Sequence, residues 1–373
     1  MRTEYKGFGL VPKNTTTNPY QERQTNTRIM KCPVCGGLCL ENAAEIIQQR
    51  EGRFLPCSSC RTTILDKQSP PSFRRKAPCQ TCNKRPLDEV VADCWTIMAE
   101  EGDLPPTAPV MAAGIPLIHP GVALTAPPCL DDASMVFLSR TVTQKAADRI
   151  VADIPEVKGV VHDREIVPGI AEMDSTPPEY HTNTLLAGCD VRANIFETDE
   201  APVTVFMQQS CAHIEYPRGF DPKLVATATE VIRYEPEVFV DAACGVGTIG
   251  ITAGQHGIPR VIMNDAWGYA AYWAAINLDV NRDTLGLENV DIHISYGDVQ
   301  KTPVRREPLK VADAFGDGKH YEVWWGDLHN LAKVLPERVD LTAIDLFGKE
   351  NRVRMADAAR RWKKETGGEV FIP

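Results

Sequence analysis

The sequence has no apolar stretch of the kind that crosses a membrane. Its longest uncharged stretch lies between Asp103 and Asp131 and contains seven prolines, which cannot all sit inside one continuous helix. The first six residues, Met-Arg-Thr-Glu-Tyr-Lys, lack the apolar run of a signal peptide. We therefore expect a cytoplasmic protein in which the proline-rich stretch is an irregular linker.

The sequence also lacks the positive charge of a protein whose whole surface binds nucleic acid, since its net charge is −10. Residues 1–87, however, hold 15 basic and 6 acidic residues (+9), whereas residues 88–373 hold 25 and 44 (−19). We predict that this basic head binds RNA or another polyanion. Alternatively, its cations dock the head on the acidic body. The cations concerned are Arg53, Arg61, Lys67, Arg74, Arg75, Lys76, Lys84 and Arg85.

No histidine precedes His119, so a metal in the head would be bound by thiolates alone. Eight of the twelve cysteines fall between Cys32 and Cys94, and 21 residues separate the first two CxxC pairs, a spacing close to that of zinc sites. A disulfide cluster and an iron–sulfur cluster are the alternatives. We predict one or two Zn²⁺ ions, the first bound by Cys32, Cys35, Cys57 and Cys60, the second by Cys79, Cys82, Cys39 and Cys94.

The pattern of strands and helices predicts an α/β protein with several parts. From Asp221 onward, strands at 237–243, 260–264, 290–295, 339–344 and 369–373 alternate with helices, which is typical of a doubly wound, Rossmann-like parallel sheet. We expect a flexible segment (1–28), a cysteine-rich, zinc-ribbon-like domain (29–104), a proline-rich linker (105–132), a small α+β module for substrate recognition (133–220) and the cofactor-binding sheet (221–373).

A glycine-rich loop follows the first of these strands, and an acid, Asp265, ends the second strand 20 residues after Gly245. Glycines let a backbone approach a ligand closely, and a carboxylate at that place can accept both ribose hydroxyls. The spacing also fits NAD. Asp241, four residues before the first glycine, favours S-adenosylmethionine (SAM), whose amino group is cationic. The predicted cofactor residues in this region are Asp241, Ala243, Cys244, Gly245, Gly247, Gly250 and Asp265.

Further acids follow later strands. Asp298 and Asp327 each come after a glycine at the end of an apolar segment, and we favour Asp298 as the adenine contact because it follows Asp265 at a one-helix distance. Asp345 and Phe347 follow the fourth strand. There a carboxylate can orient or deprotonate a nucleophilic nitrogen, and an aromatic ring can stack on a planar acceptor. We therefore predict Asp345 and Phe347 as catalytic residues, with His213 as a weaker candidate.

The run at 238–250, with Ile262-Met-Asn-Asp265 and Ala275-Ile-Asn-Leu278, resembles the class I SAM-dependent methyltransferases. Residues from about 155 onward look like the archaeal and eukaryotic tRNA guanine-N1 methyltransferases and the related wybutosine-pathway enzymes. The resemblance implies a class I methyltransferase sheet, SAM as cofactor and methyl transfer to RNA. The chain departs from that family's pattern at three places, since Thr227 replaces its glutamate base, His181 its arginine and Asp345 its asparagine.

We therefore predict a SAM-dependent methyltransferase that acts on RNA, preferably tRNA, with the zinc-binding head as a substrate grip. One alternative is methyl transfer to a protein or a small metabolite, which the acidic body favours. Another is an inactive RNA-binding protein, which the missing glutamate favours. An NAD-dependent enzyme is the fourth hypothesis.

Overall fold

The computed structural model describes residues 30–61, 64–72, 76–346 and 352–373. Its cysteine-rich part begins with a turn around Cys32 and helix α1 (Ala43–Arg53), which Asn42 caps by accepting a hydrogen bond from Ala44 N at 2.8 Å. Strand β1 (Arg85–Pro86) and helix α2 (Leu87–Glu101) follow. A short 3-10 helix (Val110–Ala112) and strands β2 (Ile115–Ile118) and β3 (Cys129–Leu130) come next, with β3 paired to β1.

The α+β module is built on a four-stranded sheet in the order β2-β4-β5-β8. Thr143 caps its helix α3, and two hairpins, β6–β7 and β9–β10, extend the module. Its elements are β4 (Met135–Ser139), α3 (Gln144–Asp153), β5 (Val157–His162), β6 (Gly169–Glu172), β7 (Glu179–His181), β8 (Thr184–Gly188), β9 (Val191–Phe196) and β10 (Val203–Gln208).

The predicted linker contains a strand of this sheet. Its β2 pairs antiparallel with β4 along Ile115–Ile118, and Pro116 lies within it. Proline is tolerated there because β2 is an edge strand, so one side of its backbone needs no partner. The proline content predicts an irregular linker over 105–132. Within that range, Ile115–Ile118 instead form the edge strand of a sheet.

The C-terminal part alternates strands and helices, as expected. Asp221 caps α4 and Pro222 occupies its first turn, as their side chains predict. The elements are α4 (Pro222–Tyr234), β11 (Val238–Asp241), α5 (Thr248–Gln255), β12 (Arg260–Asp265), α6 (Gly268–Val280), α7 (Arg282–Leu285), β13 (Asn289–Ile292), α8 (Tyr296–Lys301), β14 (Leu309–Gly316), β15 (Lys319–Trp325), α9 (Leu328–Leu331), β16 (Leu341–Ala343), α10 (Arg352–Thr366) and β17 (Glu369–Phe371).

These strands form one seven-stranded sheet in the order β13-β14-β15-β12-β11-β16-β17. The five strands from β15 to β17 are parallel, whereas β14 is antiparallel to both of its neighbours. The predicted α/β class with a parallel core is thereby confirmed. The strand beside β12 is β15, and not the strand at 290–295 that precedes the favoured acid Asp298. The hairpin β14–β15 inserts between them and moves β13 to the edge of the sheet.

The cysteine-rich part packs on two different neighbours. Ala43 and Ile46 of α1 join the core around β9, β10 and α6, whereas Val90 and Met98 of α2 join the core of the α+β module. The predicted head thus shares its apolar cores with the rest of the chain. Among the described residues, no helix is both long and apolar enough to cross a membrane.

A buried ion pair network fastens α2 to the module. Arg85, which is 1% exposed, donates to both oxygens of Glu156 at 2.7 and 2.8 Å and also to Asp93. Removing one partner of such a network leaves uncompensated buried charges. The network therefore makes the fold depend on Arg85.

We expect Arg85→Ala to lower the free energy of unfolding by about 3–5 kcal/mol, because two buried carboxylates lose their cation. Urea unfolding monitored by tryptophan fluorescence measures the loss. Arg140→Ala is the matched control. Its exposed partner Glu165 makes a surface pair whose removal costs at most about 1 kcal/mol. Equal losses in the two variants would contradict the role of the network.

Candidate functional site

The glycine-rich loop connects β11 to α5 at the carboxyl edge of the parallel strands, where ligands bind in open α/β sheets. Gly245 (φ +54°) and Gly247 (φ +92°) adopt left-handed backbone conformations, and a Cβ at Gly245 would meet no atom within 4 Å. A Cβ at Gly250, by contrast, would lie 2.5 Å from the Met263 side chain. Gly250 therefore lets α5 pack closely on β12, and Gly245 leaves room beside the loop for a ligand.

Asp241 ends β11 and is completely buried. Its Oδ2 accepts a hydrogen bond from Gly250 N at 2.9 Å, whereas its Oδ1 has no hydrogen-bonding partner among the described residues. Burial, and next the negative charge of Asp345, hold the pKa of Asp241 well above its usual range. A cationic donor at Oδ1 would offset both effects.

Asp265 ends the neighbouring strand β12 and closes the loop from the other side. Its two carboxylate oxygens accept from Gly245 N at 2.9 Å and from Trp267 N at 2.8 Å. Burial raises the pKa of Asp265 to about 6, although both hydrogen bonds act in the opposite direction. Ala243 and Cys244 lie in the loop between the two acids, and burial raises the pKa of the Cys244 thiol.

The structure places Asp298 away from these acids. Asp298 follows the edge strand β13 and forms a capping box with Ser295, which lowers its pKa. It lines a cavity of about 330 Å³ together with Arg305 and Trp325. Asp327 instead follows β15, the strand beside β12, and Gly326 N donates to Asp265 O at 3.1 Å. The inserted hairpin thus puts Asp327 in the position expected for Asp298.

Asp345 follows β16 on the other side of β11, and its Oδ2 lies 2.8 Å from Lys223 Nζ. Lys223 stands in the first turn of α4. Burial lowers the pKa of Lys223, but the hydrogen bond and the charge of Asp345 outweigh it, so the net shift is upward. The sequence prediction missed this partner. Phe347 lies outside the described residues.

His213 and Glu215 form a second side-chain pair, with His213 Nε2 2.9 Å from Glu215 Oε1. Burial raises the pKa of Glu215, but the bond from His213 and the charges of His213 and Lys223 lower it overall. The two pairs therefore influence each other electrostatically. Thr227 is buried in α4 and donates to Lys223 O at 2.9 Å, which leaves it a structural role, and His181 is exposed on β7.

The cysteines assemble into two groups of four, but in a different combination from the one predicted. One group joins Cys57, Cys60, Cys79 and Cys82, and the other joins Cys32, Cys35, Cys39 and Cys189. Within each group the four sulfur atoms lie within 4.8 Å of one another. The pairing of the first two CxxC motifs in one site is wrong, because α1 separates them. Cys94 is fully buried in α2 and belongs to neither group.

Several basic residues of the head bind acids of the same chain. Lys76 Nζ lies 2.8 Å from Glu89, and Arg53 and Lys67 approach Asp131 and Asp88 at 3.8 and 3.9 Å. The partner of Lys76 is 13 residues away in the sequence. Lys67 and Lys76 still expose 66% and 49% of their side chains. Arg74 and Arg75 lie outside the described residues.

No family model and no curated protein matches this sequence. Among solved structures, one that matches is Trm1 from Pyrococcus horikoshii in complex with S-adenosyl-L-methionine, with 14% sequence identity and a TM-score of 0.32. The match covers 46% of this chain and 40% of that chain. The structure of aTrm5 in complex with tRNALeu is 12% identical in sequence, and the match covers 72% of this chain and 61% of that chain at a TM-score of 0.31. The structure of P. horikoshii TYW2 in complex with MeSAdo is 13% identical in sequence, and the match covers 69% of this chain and 70% of that chain at a TM-score of 0.33. The chain spans less than two thirds of the length of the first two of these proteins.

The raised pKa of Asp265 predicts a specific dependence of stability on pH. The folded protein binds more protons at this carboxyl than the unfolded chain between about pH 4 and 6, so the wild type loses stability as pH rises through that window. The variant Asp265→Asn has no carboxyl group to titrate at this position, so it does not lose stability in this pH window. The unfolding free energy of this variant relative to wild type should therefore increase by up to about 3 kcal/mol between pH 4 and 7.

Urea unfolding of the cofactor-free protein at several pH values measures the difference. Asp298→Asn serves as the control, because the pKa of Asp298 is shifted downward and its removal should produce no such increase. A difference for Asp265→Asn that stays constant between pH 4 and 7 would contradict the raised pKa of Asp265.

Proposed function

We propose that the chain is a SAM-dependent methyltransferase that acts on RNA, preferably tRNA. The observation that carries the proposal is the buried Oδ1 of Asp241, which has no hydrogen-bonding partner among the described residues and lies beside a glycine loop and near two further carboxylates. Asp265 and Asp345 both raise the pKa of Asp241 through their negative charge. A cationic ligand relieves this repulsion, whereas the pyrophosphate of NAD would add to it. SAM is cationic and carries no phosphate.

The residues present fit SAM in this site. Asp241 would accept from its amino group, Asp265 from its ribose hydroxyls, and the open space at Gly245 admits it beside the loop. Asp327 is the better placed of the two candidate acids for the adenine amine, because it follows the strand next to β12. When bound, SAM supplies an electrophilic methyl group on a sulfonium.

We assign Asp345 to the methyl acceptor. Lys223 holds the carboxylate in one orientation at 2.8 Å, so that it can accept a hydrogen bond from a nucleophilic N–H or O–H group. His213 can take the proton, since its Nε2 bond to Glu215 fixes the ring as in other histidine–carboxylate pairs. The hydroxyl of Thr227 donates its hydrogen bond to Lys223 O within α4, so we do not assign Thr227 a part in proton transfer. Stacking of the acceptor on Phe347 remains a prediction.

We further propose that Cys57, Cys60, Cys79 and Cys82 bind a zinc ion in the basic head. Their mutual distances, such as 3.4 Å between the sulfur atoms of Cys60 and Cys82, suit four ligands of one ion. The exposed cations Lys67 and Lys76 lie in the same part of the chain and support an RNA substrate. Methyl transfer to a protein or a small metabolite is the competing function, favoured by the acidic body.

The cofactor assignment is tested by two matched aspartate variants. Asp265→Ala should weaken SAM binding by about 1.5–3 kcal/mol, because the ribose loses a charged acceptor. Asp298→Ala should leave the affinity unchanged, since its carboxylate caps α8 at the edge of the sheet. Isothermal titration calorimetry measures both. Loss of affinity in Asp298→Ala with none in Asp265→Ala would remove Asp265 from the site.

The substrate class is tested by incubating the purified protein with methyl-labelled SAM and a cell extract separated into RNA, protein and small molecules. Label should enter the RNA fraction, and a tRNA pool should suffice as substrate. Asp345→Ala should reduce the rate at saturating SAM by at least tenfold, because the acceptor loses the carboxylate that orients it. Label in protein or small molecules would overturn the RNA assignment, and SAM binding without any transfer would indicate an inactive protein.

A further inference from the structure

The group of cysteines that includes Cys189 joins two parts of the chain that lie 150 residues or more apart. The sulfur atom of Cys189 lies 3.8 Å from that of Cys32 and 3.7 Å from that of Cys39, and Cys39 lies 3.3 Å from Cys35. We propose that Cys32, Cys35, Cys39 and Cys189 form a mononuclear tetrathiolate site for Zn²⁺. This site ties the segment before α1 to the turn between β8 and β9.

The spacing of the sulfur atoms distinguishes a single ion from a cluster. A tetrahedral ion with metal–sulfur bonds of about 2.3 Å places its ligands about 3.8 Å apart. The distances of 3.8 and 3.7 Å to the sulfur of Cys189 match that value, the 3.3 Å between Cys35 and Cys39 is shorter, and all four sulfur atoms fall within 4.8 Å of one another. In an iron–sulfur cluster different iron atoms hold the thiolates, which separates them further. The group is therefore too tight for a cluster.

The backbone around Cys32 holds the first ligands in place. Cys32 N donates to Gly37 O at 2.8 Å, and Gly36 N donates to Cys32 O at 2.9 Å. Gly36 has a φ of +72°, which closes the turn at low cost because glycine lacks a Cβ. This tight turn brings Cys35 and Cys39 to the side of Cys32 that faces Cys189.

The backbone around Cys189 is fixed equally firmly. Cys189 N donates to Lys158 O at 2.7 Å. A Cβ at Gly159 would lie 2.4 Å from Cys189 O, and a Cβ at Gly188 (φ +72°) would lie 2.3 Å from Lys158 O. Glycine is thus required at both positions for Cys189 to approach β5 so closely. Two glycines that serve to position one cysteine favour a ligand over an incidental buried thiol.

The turn that carries Cys189 continues toward the cofactor site. Asp190 Oδ2 accepts from Ser210 N at 2.7 Å, and Trp267 Nε1 donates to Cys211 O at 2.9 Å. Trp267 N is in turn bonded to Asp265. A metal at Cys189 would therefore anchor the segment on which Trp267 rests. This centre is distinct from the one proposed for the basic head and does not depend on the methyltransferase assignment.

The experiment is elemental analysis of the full-length protein, purified under reducing conditions, with Cys189→Ser and Cys94→Ala as a matched pair. Wild type and Cys94→Ala should each contain two zinc ions per chain, whereas Cys189→Ser should contain one. Replacement of zinc by Co²⁺ gives a second readout, because the thiolate-to-cobalt absorption should fall by half in Cys189→Ser and stay unchanged in Cys94→Ala.

Cys35→Ser keeps the test decisive if Cys189→Ser does not fold, because Cys35 is exposed and its replacement leaves no cavity. It should lose the same single ion. Retention of the wild-type metal content by either serine variant would overturn the proposal. So would the visible absorption of an iron–sulfur cluster, or loss of an ion from Cys94→Ala with none lost from Cys189→Ser.

Discussion

The buried carboxylate of Asp241 is the constraint on which the rest of the site depends. One oxygen is satisfied by Gly250 N, and this bond is possible because α5 packs against β12 without a side chain at Gly250. The other oxygen has no partner within the described residues, and two more acids act on it through space. An isolated buried charge is costly, so the fold retains this group only with a compensating gain. The proposed cationic cofactor would supply that gain.

The elements around Asp241 have complementary tasks. Strand β12 supplies Asp265, which fixes the loop through Gly245 N, and β16 leads to Asp345, which Lys223 holds from α4. Parallel strands bring these residues together because their carboxyl ends meet at one edge of the sheet. In the proposed function, the methyl acceptor would approach Asp345 and Lys223, whose charges also act on Glu215, the partner of His213.

Local sequence sufficed for the features that a single strand and its loop determine. The glycine loop, the cap at Asp221 and the acid at the end of β12 were predicted from short patterns. The predictions that were wrong concern features that depend on pairing between segments distant in the sequence. The turn Asp317-Gly318 is a local signal for the hairpin β14–β15, but no local pattern shows that this hairpin lies between β12 and β13 in the sheet, so Asp298 was wrongly expected to follow the strand beside β12. Cys189 was missed because its partners precede it by 150 residues or more, although Gly188 beside it was an available signal.

We expect the acid-lined loop to select a cationic cofactor over a dinucleotide. The most direct measurement is calorimetric titration of the unmodified protein with SAM and, separately, with NAD at neutral pH. Binding of SAM or its demethylated product, with no heat from NAD, is the expected result. Binding of NAD with no response to SAM would contradict the claim, because the pyrophosphate would then have to lie among Asp241, Asp265 and Asp345.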